Sequence, residues 1–116
     1  MKANELMIGD LIRMDKAILH VTKLTYGSDY DNCEPIPLTA EILEKNGFVR
    51  YSTIVNGYVY YIGDSIDYYL DYTCLDRSLC IKTECYLFDG EVKYVHELQH
   101  ALRLCGLNDL ADNFKV

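Results

Sequence analysis

The hydrophobic pattern of this chain has a period of two in some segments and the period of a helix in others. Residues 8–24 alternate in short runs and predict a hairpin whose turn is Asp15-Lys16. Residues 49–88 alternate again, and Asn56-Gly57 predicts a second hairpin because both residues tolerate positive φ. The chain therefore predicts two separate stretches of antiparallel strands.

Later strands are predicted within the same alternating region. Residues 66–72 predict a strand with two faces. One face carries Ile66, Tyr68, Leu70 and Tyr72, and the other carries Asp67, Tyr69 and Asp71. Asp76-Arg77 predicts a turn, and residues 79–87 predict a final strand that Asp89-Gly90 ends.

Two helices interrupt the strands. Thr39 predicts an N-cap, and Asn46-Gly47 predicts the C-terminal end of a short helix that is followed by a core residue, Phe48. A longer helix is predicted from about residue 92 to 105, ending at Gly106. A further short turn of helix is predicted at 108–113.

The longer helix predicts an apolar and a polar side. At about 100° per residue, its apolar residues form one stripe that we expect to be buried. The stripe comprises Tyr94, Val95, Leu98, Ala101, Leu102 and Cys105. The opposite side carries His96, Gln99, His100 and Arg103, and we expect it to face water.

Together the elements predict an α+β fold. We expect a small antiparallel sheet or a partly open SH3-like barrel, with one short middle helix and one C-terminal helix packed on it. The 116 residues contain no repeat or linker, so a single domain spanning 1–116 is predicted.

Composition narrows the function classes. Half of the residues are hydrophobic and the formal charge is −7, which argues against binding to nucleic acid because phosphates require basic patches. Four acids lie close together in the sequence: Asp64, Asp67, Asp71 and Asp76. They suggest the opposite hypothesis, a protein surface that mimics nucleic acid, although an ordinary solvent-exposed face also explains this cluster of acids. No membrane span or signal pattern is present, so a cytoplasmic protein is expected.

The five cysteines are odd in number, and none forms a Cys-x-x-Cys pair. Core-filling thiols in a reducing compartment explain them most simply.

Residues 96–100 read His-Glu-Leu-Gln-His, the pattern of a zinc peptidase helix. His96 and His100 stand one turn apart, at a spacing that allows both to bind one metal, and Glu97 would act as the general base. A catalytic zinc needs a third protein ligand. Only Asp109 and Asp112 follow as carboxylates, and both lie beyond Gly106, so we favour no metal and no catalytic residue and keep the zinc hydrolase as the alternative.

Eleven tyrosines are the most unusual feature of the composition. Six of them lie between residues 58 and 72, where alternation places them on both faces of the sheet. Tyrosine also has a high propensity for strands, so part of this enrichment is structural. The residues predicted to form a protein-contact face are Tyr58, Tyr60, Tyr61 and Tyr69.

Three segments resemble a family of small uncharacterised proteins of Bacteroides-type gut bacteria and their prophages or mobile elements. They are Met1-Lys2-Ala3 with residues 6–10, Pro35 to Phe48, and Lys93 to Gln99. In that family the last segment usually runs Tyr-Val-His-Gln-Leu-Gln-Asn, so Glu97 and His100 depart from it. The resemblance implies that the zinc-like string arose by substitution on an ordinary helix, and it implies no activity.

The sequence therefore predicts a non-enzymatic accessory or interaction domain that binds a protein partner, or a second copy of itself, through a tyrosine-rich sheet. It predicts no cofactor, no nucleic-acid partner and no membrane.

Overall fold

The computed structural model describes residues 6–22, 33–54, 57–62, 69–73, 77–83 and 86–116. Within the chain, contacts group into two compact units. The first unit combines Met1–Leu38 with Tyr94–Val116, and the second is Thr39–Lys93. That all 116 residues form one domain stays a prediction.

The first unit contains a β-hairpin and two helices. β1 (Leu11–Met14) pairs with β2 (Ala17–His20) in antiparallel register, and the turn places Asp15 at φ 55°, as Asp15-Lys16 predicts. α2 (Val95–Leu104) and α3 (Asn108–Asp112) follow at the C-terminal end. The backbone N–H of Val95 donates to the carbonyl of Ile36, so the start of α2 is tied to the segment after the hairpin.

α2 ends in a Schellman motif at the predicted glycine. Gly106 has φ 80°, and its N–H donates to the carbonyl of Arg103. The next N–H, of Leu107, reaches back to the carbonyl of Leu102. The reversal lets α3 return alongside α2 after only a few residues.

The second unit contains α1 (Ala40–Lys45) and a five-stranded antiparallel sheet. Thr39 caps α1 through a hydrogen bond from the N–H of Ile42 to its hydroxyl oxygen, and Gly47 ends the helix at φ 83°, as predicted. The strands are β3 (Val49–Ile54), β4 (Gly57–Tyr61), β5 (Tyr69–Thr73), β6 (Ser78–Lys82) and β7 (Tyr86–Glu91). They lie side by side in chain order, an open meander with β3 and β7 at its edges.

The two faces of this sheet differ in burial. The inner face consists of buried residues: Tyr60, Leu70, Tyr72, Leu79 and Ile81. We define the outer face by the alternate positions: Val59, Tyr61, Tyr69, Asp71, Cys80, Lys82 and Asp89. Each of these residues keeps part of its surface exposed. The predicted split between Leu70 with Tyr72 and Tyr69 with Asp71 is confirmed.

The prediction of one final strand over 79–87 is wrong. β6 ends at Lys82, and β7, from Tyr86, pairs with it in antiparallel register, so two strands stand where one was expected. Asp89 and Gly90 lie inside β7 and do not end it, because the ladder to β6 holds both residues in extended backbone. The hairpin between β3 and β4 exists, but Gly57 belongs to β4 and pairs with Ile54.

The fold is α+β, and the described residues form open antiparallel sheets and three helices that include a C-terminal one. The predicted fold class is therefore confirmed, with an open sheet and not a closed barrel. None of the helices in the described part of the chain is long and apolar enough to cross a bilayer.

Candidate functional site

The polar side of α2 is not solvated, and that sequence expectation is wrong. Gln99 is fully buried, His96 is 6% exposed, and the side chain of Arg103 is only 11% exposed. His100 keeps 27% of its side-chain surface exposed. The predicted apolar stripe is buried as expected at Val95, Leu98, Ala101 and Leu102. The helix is therefore enclosed on both sides, because β1 and α3 each contact it within the same unit.

A buried carboxylate meets the polar side of α2. Asp10, which precedes β1, has no exposed surface. One of its oxygens, Oδ2, accepts hydrogen bonds from the Met7 N–H at 2.8 Å and from His100 Nε2 at 2.6 Å. The other, Oδ1, accepts from Arg103 Nη1 at 2.6 Å. We call Asp10, Gln99, His100 and Arg103 the polar network.

The environment of Asp10 keeps the carboxylate ionised. Burial alone would raise its pKa, but hydrogen bonds from His100, Arg103 and the Met7 N–H, with the charge of His100, lower the pKa of Asp10 below its usual value of 3.8. An ionised carboxylate only accepts, so His100 Nε2 must carry the proton in this contact. A nitrogen that carries a proton has no lone pair for a metal.

Gln99 extends the network through its amide. Its oxygen accepts from the Leu11 N–H at 2.8 Å, and its nitrogen donates to the carbonyls of Gly9 and Ala111, both at 2.9 Å. A backbone donor lies on one side of the amide and two backbone acceptors lie on the other, which settles its orientation. Gln99 thus links the start of β1 to α3 through α2.

A tight turn presents Asp10 to α2. The Asp10 N–H donates to the carbonyl of Met7, and Gly9 lies third in this four-residue turn with φ 95°. A positive φ at that position is the mark of a type II turn. A Cβ at Gly9 would lie 2.8 Å from Arg103 Nη2 and 2.9 Å from Asp112 Oδ1. Both the positive φ and the lack of room for a Cβ therefore require glycine at position 9.

The other residues of the His-Glu-Leu-Gln-His string also have structural contacts. Glu97, the candidate general base, accepts a hydrogen bond from the Tyr94 N–H at 3.0 Å, as an acid in the first turn of a helix commonly does. The His96 ring stacks on Tyr94 with centroids 6.0 Å apart and meets the His100 ring edge-on at 5.6 Å. His96 and Glu97 thus take part in the packing and capping of α2.

The candidate third ligands lie in α3. Asp109 is exposed in its first turn, and Asp112 Oδ1 lies 3.4 Å from Arg103 Nη2 with its side chain 56% exposed. The carboxylate that does meet His100 is Asp10, which sequence reasoning missed. Within the described ranges, no group of three His, Cys, Asp or Glu side chains is arranged to hold a metal ion.

The four candidate contact tyrosines lie on two opposite faces of the sheet. Tyr60 is 0% exposed, so its inclusion in a contact face is wrong: its position on β4 points into the core. Tyr58 lies on the same side as Tyr60, and the guanidinium of Arg50 covers its ring at 4.0 Å from the centroid. The same Arg50 also pairs with Glu44 of α1 at 2.8 Å. These contacts engage Tyr58 within its own unit.

Tyr61 and Tyr69 form the aromatic part of the outer face. They are direct partners across β4 and β5, and their ring centroids lie 5.2 Å apart at 45°. Val49 pairs with Tyr61 on β3 and is 56% exposed, so it extends the same row. Lys82 is the partner of Tyr69 on β6, and its Nζ lies 2.9 Å from Oδ2 of Asp71 in the neighbouring row. Of the acids considered for nucleic-acid mimicry, Asp64, Asp67 and Asp76 lie outside the described residues.

The sequence contains only a weak signal for the roles of Asp10 and Gln99. Gly9-Asp10 before a strand has the composition of a turn, and Gln99 sits beside two histidines on a helix face that is otherwise polar. Neither feature reveals that residues about ninety positions apart meet. Comparisons with protein-family models, curated proteins and solved structures found no match.

Proposed function

We propose that this protein is a non-enzymatic accessory domain that binds a protein partner through the outer face of its five-stranded sheet. The observation that carries the proposal is the Tyr61–Tyr69 pair, two partly exposed rings in contact on one face. Tyrosine contributes a large contact area with little loss of conformational entropy, and it is enriched where partners bind. The exposed Val49 beside them adds apolar area.

The contacts of α2 also support a non-enzymatic role. In the alternative hypothesis, a zinc hydrolase, His96 and His100 bind the metal and Glu97 activates water. His100 Nε2 is instead a donor to Asp10, whose other oxygen is bound by Arg103. His100 and Arg103 thus already occupy both oxygens of the buried Asp10 carboxylate. A zinc ion there would have to displace His100 from Asp10 and would be repelled by Arg103.

A quantitative capture experiment tests the proposed contact face. The wild-type protein is immobilised and compared with a Tyr61→Ser/Tyr69→Ser variant, while sedimentation velocity measures self-association of both. Leu104→Ser is the matched control, because Leu104 is 76% exposed in the other unit and its removal also lowers surface hydrophobicity. We expect the double variant alone to lose a partner or a dimer. Retention by the double variant, or a monomer with no enriched partner, would contradict the proposal.

Metal analysis tests the alternative. Protein purified without a histidine tag is expected to contain no stoichiometric zinc, and addition of zinc is expected to leave the unfolding midpoint unchanged, because ligand binding to the native state would raise it. Near-stoichiometric zinc that disappears in His100→Ala would establish the metal site. The exposed His20→Ala serves as the control.

The origin and compartment are part of the same proposal. The three segments that resemble the Bacteroides-type family support an origin in a prophage or mobile element. Cys105 is a free thiol, which supports a reducing cytoplasm.

A further inference from the structure

The outer face combines aromatic rings with carboxylates. Tyr61 and Tyr69 occupy one row across the strands, and Asp71, Cys80 and Asp89 occupy the next. Strands lie about 4.8 Å apart and alternate residues about 6.8 Å apart, so Tyr69, the nearer ring of the pair, and Asp89 are separated by about 12 Å. That separation is close to the distance between side chains four residues apart in an extended segment, about 13.6 Å.

The outer face carries a net negative charge, because it contains two acids, Asp71 and Asp89, and one base, Lys82. Asp71 is paired with Lys82, and Glu91 is paired with Lys93, both at 2.9 Å. Asp89 is exposed and makes no ion pair within the described residues. Residues 39–93 contain nine acids and five bases, a formal charge of −4, and the whole chain carries −7. A surface of this kind attracts basic partners and repels acidic ones, a second copy of this chain included.

Tyrosine rings are also surfaces on which cations bind. The opposite side of the same sheet contains an example, in which the Arg50 guanidinium lies 4.0 Å from the centroid of Tyr58. A cation from outside would find the equivalent surface at Tyr61 and Tyr69. It would meet no repulsion from an unpaired base there, because the adjacent Lys82 is neutralised by Asp71.

We propose that the partner of the outer face is an extended basic segment of another protein, with one Arg or Lys side chain on the Tyr61–Tyr69 pair and a second, four residues away, at Asp89. The inference rests on the proposed function and identifies the chemistry of its partner.

The test is an NMR titration of the ¹⁵N-labelled full chain with a synthetic probe. The probe is a 13-residue peptide with arginine at every fourth position and Gly-Ser between, and the comparison peptide has glutamate at those positions. We expect the arginine peptide to shift the amides of the outer face, in a salt-dependent manner, and the glutamate peptide to shift none. Tyr61→Ala or Tyr69→Ala is expected to weaken binding by about 2- to 5-fold.

Charge reversal at Asp89 tests the electrostatic part of the proposal. Asp89→Lys is expected to weaken binding by roughly 5-fold or more, whereas Glu41→Lys is expected to leave it unchanged. Glu41 is exposed on α1 in the same unit, so both variants change the net charge equally. Equal weakening by the two variants, shifts outside the outer face, or equal binding of the glutamate peptide would overturn the proposal.

The two proposals fail in different ways. If Tyr61 and Tyr69 mediate a dimer and the arginine peptide does not bind, the contact face stands and the basic partner is wrong. If the peptide does not bind and the double serine variant behaves as wild type in capture and sedimentation, both are wrong.

Discussion

The polar side of α2 and the outer face of the five-stranded sheet have similar sequence patterns but opposite environments. Both carry polar or aromatic residues opposite an apolar stripe. On α2 these residues are buried, because the Asp10 carboxylate accepts hydrogen bonds from both His100 and Arg103. On the sheet, Tyr61, Tyr69 and Asp89 remain partly or fully exposed. Periodicity reveals which residues share a face, and complementary partners decide whether that face is buried.

Removal of the Asp10 carboxylate is expected to have the largest effect, because the buried polar side of α2 depends on it. Asp10→Ala leaves the charge of Arg103 and the ring nitrogen of His100 without their buried partner, and we expect a loss of about 3–5 kcal/mol in the free energy of unfolding, measured by urea denaturation. Asp112→Ala is the control, since that carboxylate is largely exposed and touches Arg103 only at 3.4 Å. Equal losses in the two variants would mean that Asp10 is not the centre of the network.

Gln99 tests whether the network also connects the hairpin to α3. Gln99→Ala leaves the Leu11 N–H and the carbonyls of Gly9 and Ala111 without this partner, and we expect a loss of about 1–3 kcal/mol in the free energy of unfolding. Hydrogen exchange should accelerate at the Leu11 amide. An unchanged exchange rate there, with stability like that of His20→Ala, would contradict this role.

Acid titration tests whether the buried Asp10 carboxylate is ionised in the folded protein. The folded-state pKa of Asp10 is lowered, so its contribution to stability is present above the unfolded value of 3.8 and is lost as pH falls through the folded-state pKa. The difference in unfolding free energy between wild type and Asp10→Asn should therefore shrink below about pH 4, by at most about 1.4 kcal/mol per pH unit. A difference that stays constant down to pH 2 would exclude the lowered pKa.

The smallest effect on stability is expected on the sheet. Tyr61→Ala removes one cross-strand ring contact, and we expect a loss of about 0.2–1 kcal/mol in the free energy of unfolding, by urea denaturation. Its neighbour Tyr60 is fully buried on the same strand, and Tyr60→Ala is expected to cost about 3–5 kcal/mol. Similar losses in the two variants would mean that the outer face is as enclosed as the inner one.

Local features of the fold were predictable because they depend on neighbouring residues. The Asp15 turn, the Thr39 cap and the glycines at 47 and 106 each follow from backbone preferences of short segments. The sheet was predictable in its alternation but not in its strands, because the segment predicted as one strand contains two, β6 and β7, with no strong turn signal between them in the sequence. Tyr60 was predicted to lie in a contact face, because alternation assigns residues to the two faces of a sheet but does not show which face is buried.

The amino-acid sequence by itself determined where strands and helices form and which residues share a side. Only the tertiary structure decided that Asp10 meets His100 and Arg103, and that Gln99 joins Gly9, Leu11 and Ala111. The reason is that hydrogen bonds and ion pairs between residues about ninety positions apart depend on how the chain folds back, which no local pattern encodes. The same string, His-Glu-Leu-Gln-His, therefore suggested a metal site in sequence and forms the core of a structural polar network in the fold.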